Sequence, residues 1–309
     1  MILTLTLNPA IDRNVTTDRL VFEDRAYILS THESPGGRGI NASRVIHSFG
    51  GDTLAIAISG GATGERFEKL LAKVGFSVEL VHVKNEIRTN LTITDERGLT
   101  VKLNELGPIL APAELEAVEH TVAERIKQAE WLMICGSLPP GVPAKFISTL
   151  IEKCRKQGVK TLLDTDGEAL LEGIEARPTV VTPNQQEAER LLNRALLTRH
   201  HCAEAVERVQ HMGAEVGVLS LGSRGAMAAF DGSIVEAVPP RVDAVCPIGA
   251  GDAMAAAFVW ALAEKQDVAA AVRWGVAAGT ASAQLPGVSF ASLEQTRAML
   301  ERVEMRQVR

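Results

Sequence analysis

The chain has 309 residues, 46% of them hydrophobic, and a formal net charge of −6. A chain of that size can bury one large core with room for a small appendage. The acidic balance and the lack of a basic block speak against nucleic acid as a partner, and no apolar run approaches the ~20 residues that cross a membrane. Cys135, Cys154, Cys202 and Cys246 are scattered without a Cys-x-x-Cys pair. They read as reduced thiols of a cytoplasmic protein, not as a disulfide frame or a metal site.

Residues 2–7 alternate like a core strand and lack the charged leader of a signal peptide. Residues 14–30 mix polar and β-branched types without a helical period, which suggests a solvated hairpin, and 34–39 read as a loop. A helix over 40–49 stops at Gly50-Gly51. A strand over 53–58, a turn at Gly60-Gly61, a helix over 64–74 and a strand over 78–83 follow. Runs at 89–94 and 99–104 flank Asp95-Glu96-Arg97-Gly98, a hairpin signal. From Pro112 onward, helices over 113–128, 143–157, 185–192 and 203–212 alternate with strands over 131–135, 161–164, 179–181 and 216–220. Repeated βα units imply an α/β fold: a mainly parallel sheet with helices on both faces. The two early hairpin regions break that rhythm. Pattern alone leaves them as an inserted small sheet or as an edge of the main one. His200, His201 and Cys202 have no second cluster to complete a metal site and read as a polar turn.

Pro247-Ile248-Gly249-Ala250-Gly251-Asp252 follows a strand over 234–238 and precedes an apolar helix over 253–262. Gly249 to Asp252 should therefore sit at a helix N-terminus, where unpaired N–H groups and the dipole favour an anion and glycines let it approach. A carboxylate there can accept a hydroxyl proton during phosphoryl transfer. It can also simply cap the helix. Asn184 and Glu187 have the spacing of a capping box. Pro35-Gly36-Gly37-Arg38-Gly39-Ile40-Asn41 is a glycine loop entering a helix. There is no Walker A sequence, and no Gly-x-Gly-x-x-Gly follows the first strand, which argues against a dinucleotide-dependent oxidoreductase.

Those three stretches, with Gly136-Ser137-Leu138-Pro139-Pro140-Gly141 and Ser220-Leu221-Gly222-Ser223-Arg224-Gly225, resemble the PfkB family of ribokinase-like sugar kinases in their order. Thr4-Leu5-Thr6-Leu7-Asn8-Pro9-Ala10-Ile11-Asp12 resembles its phosphohexose branch. The resemblance implies a three-layer α/β/α domain spanning 1–309 with a discontinuous β lid over about 12–33 and 87–106. It implies ATP-dependent phosphorylation of a phosphoketohexose in the cytoplasm, with Mg²⁺ and a homodimer joined through the lid. The alternative is a kinase of an unphosphorylated sugar or a nucleoside.

By the same resemblance Asp252 is the base, and the backbone of Gly249, Ala250 and Gly251 binds the transferring phosphoryl group. Gly36, Gly37, Asn41 and Asp12 hold the sugar. Arg88, Asn90, Ser137 and Arg25 hold the substrate phosphate, and Arg38 is either a phosphate contact or a solvated charge. Asn184 and Glu187 hold Mg²⁺, mostly through water. Ser220, Gly222 and Gly225 lie beneath the nucleotide, and Ala278 flanks adenine unless it merely packs a helix. Relatives carry Asp or Ser and then Thr where this chain has Cys246-Pro247, which leaves activation by a monovalent cation open.

Overall fold

β1 (Ile2–Thr6) is buried along its whole length and has parallel partners on both sides; its sequence still alternates Leu with Thr, and the buried Thr4 hydroxyl is paired with Ser43 Oγ at 2.8 Å. The computed structural model describes residues 1–21 and 23–309; Phe22, inside the first expected hairpin, lies outside them. The other strands are β2 (Ala10–Thr17), β3 (Ile28–Gly36), β4 (Thr53–Ser59), β5 (Ser77–His82), β6 (Arg88–Asp95), β7 (Thr100–Asn104), β8 (Trp131–Cys135), β9 (Lys160–Asp164), β10 (Val180–Val181), β11 (Val216–Ser220), β12 (Ala226–Phe230), β13 (Ser233–Val238) and β14 (Glu304–Gln307). Ten of them form one sheet in the order β14-β13-β12-β11-β10-β9-β8-β1-β4-β5. β11 through β5 run parallel, and β12, β13 and β14 add an antiparallel edge. Strand order reverses between β1 and β8, and ligands of open α/β sheets bind in the crevice at such a point.

The helices are α1 (Arg38–Ser48), α2 (Gly61–Leu71), α3 (Pro112–Arg125), α4 (Lys145–Lys156), α5 (Gly167–Glu175), α6 (Gln185–Leu192), α7 (Arg199–His211), α8 (Ala250–Ala263), α9 (Val268–Ala283) and α10 (Leu293–Leu300). Alternate residues of β8 feed two cores: Trp131, Met133 and Cys135 pack with α1, α8 and α9, whereas Leu132 and Ile134 pack with α3 and α4 on the other face. A third, smaller core lies under α7. The arrangement is the expected three-layer α/β/α one.

The four remaining strands form a separate sheet in the order β3-β2-β6-β7. β2 pairs antiparallel with β3, opposing Asp12 to Ser34, and parallel with β6, opposing Asp12 to Asn90. The two early regions thus join into one inserted sheet rather than extending the main one. Two boundaries differ from expectation. The first strand of the insert begins at Ala10, and residues 34–36, read as loop, complete β3. Polar residues on the cavity face, Asp12 and Asn14, hid the strand character of the first, and the turn signal of Pro35-Gly36 hid that of the second.

Residues 200–202, read as a polar turn, are the first turn of α7, where the Thr198 side chain accepts a hydrogen bond from the His201 N–H. α5 carries Gly167 and Gly173, which weaken its helical signal. Gly173 is required by packing, because a Cβ there would stand 2.5 Å from Leu163 Cδ2. β12 is Ala-Met-Ala-Ala-Phe, a poor strand sequence by propensity, held by pairing on both edges.

Candidate active site

The turn that enters α8 is built by its local sequence. Gly249 is the N-cap of α8 at φ 82°, and a Cβ there would stand 3.0 Å from the Phe290 ring. Backbone conformation and close approach both demand glycine. Ala250 is a partial exception to expectation: its N–H donates to Pro247 O at 3.2 Å and closes the turn, which leaves the following N–H groups of the helix for an anion. Gly249, Gly251 and Asp252 line a polar cavity of about 580 Å³ beneath the small sheet.

Asn41 Nδ2 on α1 donates to Asp252 Oδ2 at 2.7 Å, so the glycine loop and the turn entering α8 meet directly. Burial pushes the Asp252 carboxyl up to about 7, with the nearby Asp164 charge adding to it; the Asn41 hydrogen bond and the Arg38 charge oppose the rise. Such a group titrates where a general base at neutral pH must. Asp12, on β2, accepts from Asn90 Nδ2 at 2.9 Å. Gly36 is fixed by this pair, since a Cβ there would stand 2.2 Å from Asp12 Oδ2. Burial raises the Asp12 carboxyl too, against the Asn90 bond and the charges of Arg88, Arg44 and Lys102.

Arg88 donates from Nη2 to Asn8 O at 3.0 Å and from Nη1 to Glu105 O at 3.1 Å. Its Nε is buried and has no partner among the described residues. Asn8, just past the end of β1, donates to Ser137 Oγ at 3.3 Å, which brings the loop after β8 to the same wall. Arg38 is neither solvated nor unengaged. Nη1 lies 2.9 Å from Asp164, and Nη2 lies 3.4 Å from Glu187 and 3.6 Å from Asp166. Those carboxylates raise the guanidinium above its usual range against the cost of burial, with Asp164 the largest contributor. Arg25 is exposed in the connection between β2 and β3 and does not line the cavity of the single chain.

Asn184 and Glu187 complete the capping box. Asn184 Oδ1 accepts from the Glu187 N–H and Glu187 Oε2 from the Asn184 N–H, each at 2.9 Å. Both also line the cavity, and Glu187 is 7% exposed. Among the described residues no three His, Cys, Asp or Glu side chains converge as a metal cage. One amide and one carboxylate at the cavity wall suit an ion that keeps most of its waters and takes phosphate oxygens, which is the habit of Mg²⁺.

A second cavity of about 1020 Å³ shares Asn184, Ser220, Gly251 and Met254 with the first and continues past Gly222 and Gly225 to α9. The face of α9 that lines it is Val276, Gly279, Thr280 and Ala283. Ala278 is 1% exposed and belongs to the core, so the helix-packing alternative holds for it. Sequence reasoning missed Asp164 and Asp166, which stand at the C-terminal end of a parallel strand where ligands bind. It also missed Asn14, Thr92, Lys102 and Asn104, which reach the cavity from the small sheet. Period-two alternation in β2, β6 and β7 was the available signal.

A polar, lidded cavity that opens at a helix N-terminus into a larger one is the site of a two-substrate α/β enzyme. The chain belongs to the pfkB family of carbohydrate kinases, whose pattern matches residues 5–296. It is 35% identical to the ATP-dependent 6-phosphofructokinase isozyme 2 of Escherichia coli over 299 residues, 96% of each chain. It is 30% identical to a tagatose-6-phosphate kinase of Staphylococcus epidermidis over 269 residues, 86% of each. A crystal structure of phosphofructokinase-2 from Escherichia coli in complex with potassium superposes with a TM-score of 0.92 at 34% identity, covering 97% of this chain and 98% of that one. The fold is the ribokinase-like one, and the chain is a kinase of carbohydrates.

Proposed function

We propose that the protein transfers the γ-phosphoryl group of ATP to a hydroxyl of a phosphoketohexose and releases the bisphosphate. The observation that carries this is Asp252, a carboxyl raised to about 7 at the junction of a lidded polar cavity and a larger, less polar one. The sugar lies in the first cavity, with hydroxyls on Asp12 and Asn41 and its phosphate toward Arg88 and Ser137. The nucleotide lies in the second, over Ser220, Gly222 and Gly225. Asn41 aims the Asp252 carboxylate, which takes the proton of the attacking hydroxyl. N–H groups at the start of α8 receive the charge that a loose transition state spreads over the phosphoryl oxygens. Mg²⁺, when bound, neutralises phosphate charge, and Asn184 and Glu187 hold it mainly through water. The lid excludes water that would otherwise accept the phosphoryl group.

The 6-phosphofructokinase and tagatose-6-phosphate kinase relatives support a phosphorylated ketohexose as the class. A kinase of an unphosphorylated sugar is the second reading. Arg25 outside the cavity and Arg38 already bound to carboxylates both favour it. Turnover of ATP with fructose 1-phosphate, fructose 6-phosphate and tagatose 6-phosphate, beside unphosphorylated fructose, separates the two. Preference for fructose itself would overturn the first.

A homodimer through the lid is part of the proposal. Tyr27, Ile28, Leu29 and Leu103 are 63, 61, 52 and 55% exposed, an apolar surface that a four-stranded sheet does not cover by itself. A cytoplasmic location is also part of the proposal and rests on the four unpaired cysteines. As for the monovalent cation, the turn before Gly249 is held by the N–H groups of Val245 and Cys246, both donating to Ala283 O. Activity with K⁺ against a large organic cation decides whether one acts here.

A further inference from the structure

Three cationic side chains line the small cavity: Arg38, Arg88 and Lys102. Arg38 is committed to Asp164, Asp166 and Glu187. Arg88 gives two of its nitrogens to the carbonyls of Asn8 and Glu105 and keeps Nε without a partner among the described residues. Lys102 makes no ion pair or side-chain hydrogen bond among the described residues, and its register explains where it points. It opposes Thr92 across β6 and β7, two cross-strand pairs beyond Asn90–Asn104, and Asn14 opposes Thr92 from β2. With period-two alternation these residues share the face of the sheet that carries Asp12, and Asn14, Asn90, Thr92, Lys102 and Asn104 all reach the cavity. The Lys102 charge is close enough to act on Asp12.

An ammonium with no carboxylate partner, on a lid over a cavity whose other cations are wholly or partly occupied, is poised for an anion that arrives with the substrate. Desolvation by the closed lid strengthens that contact relative to an exposed pair. We propose that Lys102 is a specificity-determining residue: it supplies the second positive charge to the phosphate of the sugar substrate, across the lid from Arg88. The inference rests on the phosphosugar reading of this site and adds to it the residue that separates phosphorylated from unphosphorylated sugars.

The test uses the full-length enzyme and the variants Lys102→Met and Lys102→Arg. For each, kcat and KM are measured with the preferred phosphoketohexose and with unphosphorylated fructose, and the dissociation constant is measured for ATP. Lys102→Met should lose roughly 10- to 100-fold in kcat/KM for the phosphosugar, chiefly through KM, as expected for a charge-assisted contact. The loss with fructose should be several-fold smaller, and ATP affinity should stay near wild type. Lys102→Arg should recover most of the loss, a rescue that a purely structural lysine would not show. A loss equal for both sugars, a matching loss of ATP affinity, or no loss would overturn the role of Lys102 while leaving the phosphosugar reading standing. A wild-type enzyme that prefers unphosphorylated fructose would instead overturn that reading and this inference with it.

Discussion

Asp252 joins two properties that pull against each other. Ionised, it can take a proton; ionised in a buried place beside Asp164, it destabilises the fold. Its folded-state pKa of about 7 lies above the ordinary 3.8, so the native state holds a proton that the unfolded chain has released. Stability from this group is therefore complete below the unfolded value and is lost as pH rises through the folded one. Asp252→Asn should raise Tm at about pH 8 and give no gain at about pH 4, while turnover falls by ~10²–10⁴-fold. Differential scanning calorimetry and initial rates check the two halves. Unchanged turnover would remove the base assignment. Arg88→Ala should damage phosphosugar kcat/KM far more than ATP affinity, because the guanidinium faces the sugar side of the cavity. Equal small effects on both would leave Arg88 a structural donor to Asn8 and Glu105. At this scale the sequence was informative where a residue sat in a motif and silent where it did not. Asp252, Asn41 and Glu187 were legible, but the Asn41–Asp252 contact spans 211 positions and has no local signature.

Two helix starts line the cavity, and they are capped differently. α8 begins at a glycine that brings no side-chain cap, so its N-terminus remains for a ligand. α6 begins with its cap satisfied by its own residues, Asn184 and Glu187. The capping and metal readings of that pair are compatible, because the second Glu187 oxygen turns to Arg38 and the cavity. Glu187→Gln preserves a capping box and should raise the Mg²⁺ concentration needed for half-maximal activity while moving Tm by little. A drop in Tm with unchanged Mg²⁺ dependence would reduce Glu187 to a cap. The parallel strands and their helices were readable because both-face burial writes long apolar runs. In the lid the two hairpin regions were readable, but their strand bounds were not, since polar residues such as Asp12, Asn14 and Lys102 fill the face toward the cavity.

The whole molecule gathers the cavity from three sources: Asn8, Ser137, Asp164, Asn184 and Ser220 at or just past the C-terminal ends of β1, β8, β9, β10 and β11, Asn41 and Asp252 from the starts of α1 and α8, and Asp12, Arg88 and Lys102 from the small sheet. Fold class follows from the repeated βα units; the union of two distant hairpin regions, which pattern alone left open and the family resemblance implied, is seen in the β2–β6 pairing. Leu103→Glu, on the exposed lid surface, should shift the protein toward monomer in sedimentation and lower activity by loosening the lid. A dimer that survives it would move the interface elsewhere. The most direct test of the central claim is the pH dependence of kcat/KM for the phosphosugar in wild type and in Asp252→Asn. Ionisation of the substrate phosphate near pH ~6 is common to both enzymes, so their difference isolates Asp252. The account predicts an acid limb governed by a group near 7 in the wild type and its loss in the variant. Superimposable profiles would contradict it.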